Sequence, residues 1–163
     1  MSFYIFLPKS NLMVYHGGMT RTETALQYFD EGCDCGKALL HAYEPVLSLN
    51  EKTREKYRAP FSQLLGSPAE CCEVVSGALE ILAHAGTASA ASSADLAARF
   101  KARFMTSHTS TRCKDLLGYD LGELRGSPKS IDTDAVDHVC HDLIIQACRI
   151  LDELIGDKAA VTG

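Results

Sequence analysis

Apolar residues recur every three or four positions over most of the chain, a spacing typical of amphipathic helices. The pattern is longest near the C-terminus, where it predicts a helix over residues 134–155 that buries Leu143 and Leu151 and ends at Gly156. Shorter helices are predicted over residues 22–31, 33–43, 51–65, 68–85 and 94–105. The pattern therefore predicts an all-α protein.

Capping residues indicate where these helices begin. Ser67-Pro68-Ala69-Glu70 matches a capping box with proline in the first turn, so Cys71 and Cys72 are expected in that turn or just after it. The expected caps of three other helices are Thr22, Asn50 and either Ser92 or Ser93. Several helix starts thus lie close to a cysteine.

We expect one compact domain of about six helices, since 163 residues fall within the usual size of a single domain. Residues 1–19 form an aromatic and apolar N-terminal arm, residues 20–156 the helical cysteine-rich domain, and residues 157–163 a flexible tail. Residues 118–131 read as an exposed loop. The pattern of the arm does not distinguish a short hairpin from an irregular segment packed on the body or on a second copy, so homodimerisation is left open.

Charge and composition exclude several classes of protein. The formal net charge is −5, and the 16 basic residues are scattered rather than clustered, which argues against nucleic acid or an acidic membrane as a partner. No apolar run reaches the length of a membrane-spanning helix, and the apolar stretch from Phe3 to Leu7 is too short for a signal peptide. We therefore expect a cytoplasmic protein.

Seven cysteines are the main candidates for chemistry. In a reducing cytosol such residues are metal ligands, redox-active thiols or core residues more often than members of a disulfide framework. They are Cys33, Cys35, Cys71, Cys72, Cys113, Cys140 and Cys148. Their odd number leaves at least one without an intramolecular disulfide partner.

The predicted helix starts place Cys35, Cys71, Cys72 and Cys113 where backbone amides and the helix dipole favour a thiolate. Four thiolates could ligate an iron–sulfur cluster or a tetrahedral zinc ion. The spacing of the cysteines matches neither a zinc finger nor a ferredoxin, so burial as core residues remains an equal alternative. Cys148 fits the core reading best, because it lies on the apolar face of the last helix.

The remaining polar motifs point to no other chemistry. His138 and His141 flank Cys140, and His41 follows Cys35 by fewer than two turns, so a mixed sulfur and nitrogen site is an alternative to surface histidines. The chain has no phosphate-binding glycine loop, no G-x-S-x-G elbow and no H-E-x-x-H motif. Cys33 lies close to Cys35 and Cys71 is next to Cys72 in the chain, so Cys33 or Cys71 could serve as a resolving thiol.

The order of four cysteine segments resembles the C_GCAxxG_C_C family of redox-active proteins, defined by four separated cysteines and a central Cys-Gly-Ala-x-x-Gly motif. Asp34-Cys35 looks like the family's opening, after a helix that ends at glycine. Cys72-Glu73-Val74-Val75-Ser76-Gly77 keeps the cysteine and final glycine of the motif, with Glu73 and Val74 replacing its small residues. Arg112-Cys113-Lys114-Asp115 and Cys140-His141-Asp142-Leu143 resemble the third and fourth segments. The resemblance covers roughly residues 22–155.

This resemblance implies that Cys35, Cys72, Cys113 and Cys140 bind a shared metal–sulfur centre. A related domain occurs in a cytochrome type that carries an iron–sulfur centre, which favours an iron–sulfur cluster, with zinc as the alternative. The implied role is electron transfer or redox sensing with a redox partner protein that the sequence does not identify. Two other functions stay open: a thiol-disulfide or peroxide-active enzyme using paired cysteines, and a zinc-stabilised helical interaction domain.

Overall fold

The computed structural model describes residues 18–47, 49–58, 71–86, 92–118 and 133–159. Within these ranges the chain forms seven α-helices and no β-strand, which confirms the predicted all-α class. The helices are α1 (Arg21–Asp30), α2 (Cys35–Leu47), α3 (Glu51–Arg58), α4 (Glu73–Gly86), α5 (Ser93–Phe104), α6 (Cys113–Leu117) and α7 (Thr133–Ala159). The predicted arm before residue 18, the capping box at 67–70, residues 119–131 of the predicted loop and the last four residues of the tail lie outside the described residues.

Local hydrogen bonds define both ends of α1. The Thr20 side chain accepts the Glu23 N–H at 3.1 Å, and the Glu23 carboxylate accepts the Thr20 N–H at 2.7 Å, so the helix begins with a capping box two residues before the expected cap at Thr22. At the other end Gly32 adopts a φ of 99°, and the N–H groups of Gly32 and Cys33 bond to carbonyls of the last turn of α1. This Schellman motif leads directly into α2.

Two helices run past their predicted ends at residues 43 and 155. Pro45 lies inside α2, which ends at Leu47, and Gly156 lies inside α7, which ends at Ala159. A proline near the end of a helix removes only one backbone hydrogen bond, and a glycine in a helix interior costs only about 1 kcal/mol relative to alanine. Packing of the rest of each helix outweighs these local costs.

The core is centred on α4, which packs against α2, α5 and α7, while α1 packs against α2 and α7. The largest fully buried side chains are Tyr43, Phe100, Phe104, Leu39, Ile81, Leu82, Leu96, Ile144, Leu151, Leu154 and Val74. Phe100 and Phe104 stack with their ring centroids 5.9 Å apart. None of the described helices is both long enough and apolar enough to cross a lipid bilayer.

The backbones of α2 and α4 approach each other closely at a pair of glycines. A Cβ atom built on Gly77 would lie 2.9 Å from the carbonyl oxygen of Gly36 and 3.0 Å from its Cα atom. Gly36 is itself buried in the first turn of α2. Only glycine at position 77 permits this contact without moving a backbone, since real carbon atoms do not approach so closely.

A buried polar cluster ties α1 to α2 and α7. Arg21 is 5% exposed and donates from Nη1 to the Asp152 carboxylate at 2.7 Å. The Tyr43 hydroxyl lies 2.8 Å from the same carboxylate oxygen and 3.0 Å from the Cys148 carbonyl, and the Arg21 guanidinium lies over the Tyr43 ring. The cluster joins α1 to the C-terminal parts of α2 and α7, the two helices that carry Cys35 and Cys140.

Candidate cysteine site

Cys35 is the first residue of α2 and is partly buried. The Schellman turn at Gly32 sets its position, because it fixes how the chain enters α2. The Asp34 carbonyl accepts the Ala38 N–H at 2.9 Å and so begins the hydrogen-bond ladder of the helix. Cys35 therefore lies at a helix N-terminus, as its sequence position predicts.

Cys72 immediately precedes α4 and is buried. Its sulfur accepts hydrogen bonds from the N–H groups of Val74 and Val75, so the thiol takes the place of an N-cap side chain. Its own N–H bonds to the Thr111 carbonyl at 2.7 Å. Burial raises the pKa of Cys72 to about 12, although the two N–H groups oppose the shift.

The segment that contacts Cys72 through Thr111 also delivers the third cysteine. Cys113 begins the short helix α6, which ends at Leu117 and is capped by Gly118 with a φ of 81°. Ser110 holds this segment in shape, since its hydroxyl accepts the Arg112 N–H at 3.0 Å and donates to the Asp115 carboxylate at 2.7 Å. Charge on Cys113 raises the pKa of Cys72, which indicates that the two sulfurs lie near one another.

The fourth cysteine comes from the interior of α7 and contacts the first. The Cys35 thiol hydrogen-bonds to the sulfur of Cys140, although 104 residues separate them in the chain. Cys35 carries the proton in this pair. Its hydrogen bond to Cys140 is the main cause that raises the pKa of Cys35 well above its usual value, and burial is the second. The same bond lowers the pKa of Cys140, against the effect of its burial, so Cys140 is the sulfur that ionises first.

Glu73 adds a carboxylate to this thiol pair. Its Oε2 atom lies 3.7 Å from the Cys35 sulfur, and its charge raises the pKa of Cys35 and opposes the ionisation of Cys140. Because Cys35 has a single S–H proton, it can donate to either Glu73 or Cys140 at one time. In the sequence, Glu73 stands out only because it replaces a small residue of the family motif. The spacing of Cys35 and Glu73 along the chain gives no sign that the two side chains meet.

The four cysteines therefore form one electrostatically connected group, which we call the cysteine cluster: Cys35, Cys72, Cys113 and Cys140. Cys35 interacts with Cys72 and Cys140, and Cys72 interacts with Cys113 and Cys140. Three members lie at helix N-termini and the fourth on the side of a long helix. Among the described residues, no three His, Cys, Asp or Glu side chains are grouped closely enough to hold a single metal ion.

The other three cysteines differ from this cluster in their surroundings. Cys148 is completely buried in the core, as its place on the apolar face predicts, and burial raises its pKa to about 12. Cys33 and Cys71 are partly buried free thiols just outside α2 and α4. Cys71 is not helical, since α4 begins only at Glu73, whereas the sequence predicts a helix from residue 68 that would include it.

The three histidines near the cysteines have other described partners. His141 Nε2 lies 2.6 Å from the Asp30 carboxylate and joins α7 to α1, and its ring contacts Phe29. His41 stacks on Tyr28 with ring centroids 4.6 Å apart. His138 is exposed and lies 4.0 Å from Asp142. These contacts favour the surface reading of the histidines over a mixed sulfur and nitrogen site.

Comparison with known proteins adds one finding. The family model described as "Putative redox-active protein (C_GCAxxG_C_C)" matches residues 33–154, about three quarters of the chain. The match begins just before the first cysteine of the cluster and ends near the last turns of α7. Searches of curated proteins and of solved structures gave no significant match.

Proposed function

This chain belongs to the C_GCAxxG_C_C family of redox-active proteins, and we propose that its cysteine cluster is a redox centre that binds an iron–sulfur cluster and acts in electron transfer or redox sensing. The observation that carries the proposal is the convergence of four thiols from four separate segments of the chain. Cysteines that serve only as core residues are not expected to lie together at the starts of three different helices, where thiolates are stabilised.

The chemistry of the donor set fits such a centre. Thiolates are the ligands that iron–sulfur clusters and structural zinc ions use, and helix N-termini stabilise their negative charge. A single ion would bind four sulfurs at about 2.3 Å each, so they would have to move closer together than in this arrangement. A cluster distributes its ligands over several iron atoms, and when bound it would supply reversible one-electron transfer.

The chain's own residues would shape this centre. The Val74 and Val75 N–H groups already point at the Cys72 sulfur and would continue to stabilise it as a thiolate. Glu73 places a negative charge beside Cys35 and Cys140. Because added electrons increase negative charge, we expect this carboxylate to lower the reduction potential of any centre that the cluster holds.

Anaerobic purification followed by an absorption spectrum and by iron, zinc and sulfide analysis tests the proposal. Iron with labile sulfide, lost in Cys35→Ser and Cys113→Ser but retained in the matched variant Cys33→Ser, is the expected result. Zinc without sulfide would instead support a zinc-stabilised helical interaction domain. A metal-free protein that cannot be reconstituted with iron and sulfide under reducing conditions would contradict the proposal.

The hydrogen bond between Cys35 and Cys140 favours a second candidate, thiol-disulfide exchange. The Cys140 thiolate would attack a partner disulfide and release one partner thiol, which takes up a proton. Cys35 would then attack the mixed disulfide, so that the partner gains two electrons and two protons as the Cys35–Cys140 disulfide forms. Glu73, 3.7 Å from the Cys35 sulfur, is placed to accept the Cys35 proton.

Peptide mapping of the metal-free protein after treatment with a disulfide oxidant tests this candidate. A dominant Cys35–Cys140 disulfide that a small dithiol reduces again is expected, and Cys140→Ser should abolish it. Random pairing among all the cysteines, or no oxidation at Cys35, would argue against a dithiol function.

A further inference from the structure

A cavity of about 320 Å³ lies between α2 and α3, and the redox proposal does not use it. Its size falls at the lower end of the range for small-molecule sites. Side chains spaced along one face of α2 form one wall, and α3 with the residue before it forms the other. The lining residues are Lys37, Leu40, His41, Glu44, Leu49, Arg54 and Tyr57.

The base of the cavity is apolar and held in place. Leu40, Leu49 and Tyr57 are all buried. The Tyr57 hydroxyl is fixed on α4, since it lies 2.5 Å from the Glu80 carboxylate and 2.6 Å from His84 Nε2. The aromatic wall is therefore positioned before any ligand enters, which lowers the entropy cost of binding.

The aromatic ring of His41 forms part of one side of the cavity. The His41 ring stacks on Tyr28 at an interplanar angle of 20°. Burial lowers the pKa of His41, although Glu44 opposes the shift, so the ring is neutral at pH 7. Neutral stacked rings favour planar, unsaturated ligands over branched aliphatic ones.

The charged lining favours an anion. Lys37 and Arg54 contribute two positive charges, and Glu44 contributes one negative charge. Glu44 accepts from Arg54 Nε at 2.8 Å, which orients the guanidinium, and the terminal nitrogens of arginine are the donors that suit a second carboxylate. Glu51 lies 3.9 Å from Arg54 but is well exposed to solvent, so its effect is strongly screened.

From this lining we propose that the cavity between α2 and α3 binds a small planar organic acid, of which an aromatic carboxylate is the simplest form. The ring would lie on Leu40, Leu49 and Tyr57 beside His41, and the carboxylate would bind Arg54 and Lys37. The proposal is independent of what the cysteine cluster holds.

Isothermal titration calorimetry of the full chain with benzoate, benzyl alcohol and benzylamine tests this proposal. We expect saturable binding of benzoate, with at least tenfold weaker binding of the neutral and cationic analogues. Arg54→Gln and Lys37→Gln should each weaken benzoate binding about tenfold, as expected for the loss of a charge-assisted hydrogen bond. Lys52→Gln is the matched control, because Lys52 is an exposed cation on α3 that does not line the cavity.

A tryptophan reporter locates the bound ligand, since the chain has no tryptophan of its own. Benzoate should quench Tyr28→Trp, beside the cavity, and leave Met105→Trp at the end of α5 unchanged. Circular dichroism checks the fold of each variant, and Lys37→Gln carries the test if Arg54→Gln unfolds. No saturable binding up to about 10 mM, equal binding of benzylamine, or equal weakening by Lys52→Gln would each overturn the proposal.

Discussion

Replacing Gly77 by alanine would test whether α2 and α4 really touch through their backbones. The added Cβ atom would lie 2.9, 3.0 and 3.3 Å from the O, Cα and C atoms of Gly36. All three are backbone atoms, so no side-chain rotation can relieve the overlap, and the helices must separate by several tenths of an ångström.

Two opposing effects set the magnitude. Alanine is favoured over glycine in a helix interior by about 1 kcal/mol, so Gly77→Ala would stabilise the protein if the site were open. Overpacking a well-packed interface costs typically about 1–3 kcal/mol, and a backbone contact places this site at the upper end. We therefore expect a net loss of about 2 kcal/mol in the free energy of unfolding.

Urea unfolding of the Gly77→Ala and Gly156→Ala variants measures this difference. Gly156 is the matched control, because it also lies inside a helix but has no neighbour within 4 Å of a built Cβ atom. Gly156→Ala should be unchanged or up to about 1 kcal/mol more stable than the natural chain. If Gly77→Ala were as stable as Gly156→Ala, the backbone contact and the reasoning built on it would be wrong.

Two further predictions concern buried groups. Asp152→Ala should lower the free energy of unfolding by about 2–3 kcal/mol, because it leaves Arg21 buried without its carboxylate partner. Asp152→Asn should lower the free energy of unfolding by less. An unchanged urea midpoint for Asp152→Ala would refute the stabilising role of the ion pair. Burial raises the pKa of Cys148 from 9.0 to about 12, so the folded state binds this proton more tightly than the unfolded state. Its contribution to stability is fully present below about pH 9 and is lost as the pH rises towards 12, at up to about 1.4 kcal/mol per pH unit. Cys148→Ala should make the fall in stability over this pH range less steep, and an identical slope in the variant would contradict the shift.

Local sequence signals predicted the parts of the fold that depend on neighbouring residues. Helix α5 begins at Ser93 with Ser92 as its cap, and it buries Leu96, Phe100 and Phe104 at the predicted spacing. The apolar face of α7 is buried as predicted, and it includes Cys148. In both helices the periodicity extends over several turns, so tertiary contacts reinforce the local preference rather than oppose it.

The start of α4 could not be predicted in this way. The capping box at 67–70 lies outside the described residues, and the helix begins after Cys72, whose thiol accepts the amides that a hydroxyl or carboxylate normally accepts. The bond from the Cys72 N–H to the Thr111 carbonyl fixes this start and depends on a segment 39 residues away. The contact between Cys35 and Cys140 is likewise non-local, so no spacing rule could have revealed it.

The glycine contact gives a structural reason why this chain keeps the final glycine of the family motif at Gly77. Gly36 directly follows Cys35, and Gly77 lies five residues after Cys72, so the distance between the two backbones sets the distance between these two cysteines. Glu73 and Val74 replace small residues without disturbing this contact, since Val74 is fully buried in the core and Glu73 reaches towards Cys35. Separating α2 from α4 should therefore weaken the cysteine cluster even when the protein remains folded, whereas changes at Glu73 should alter its charge and leave its geometry intact.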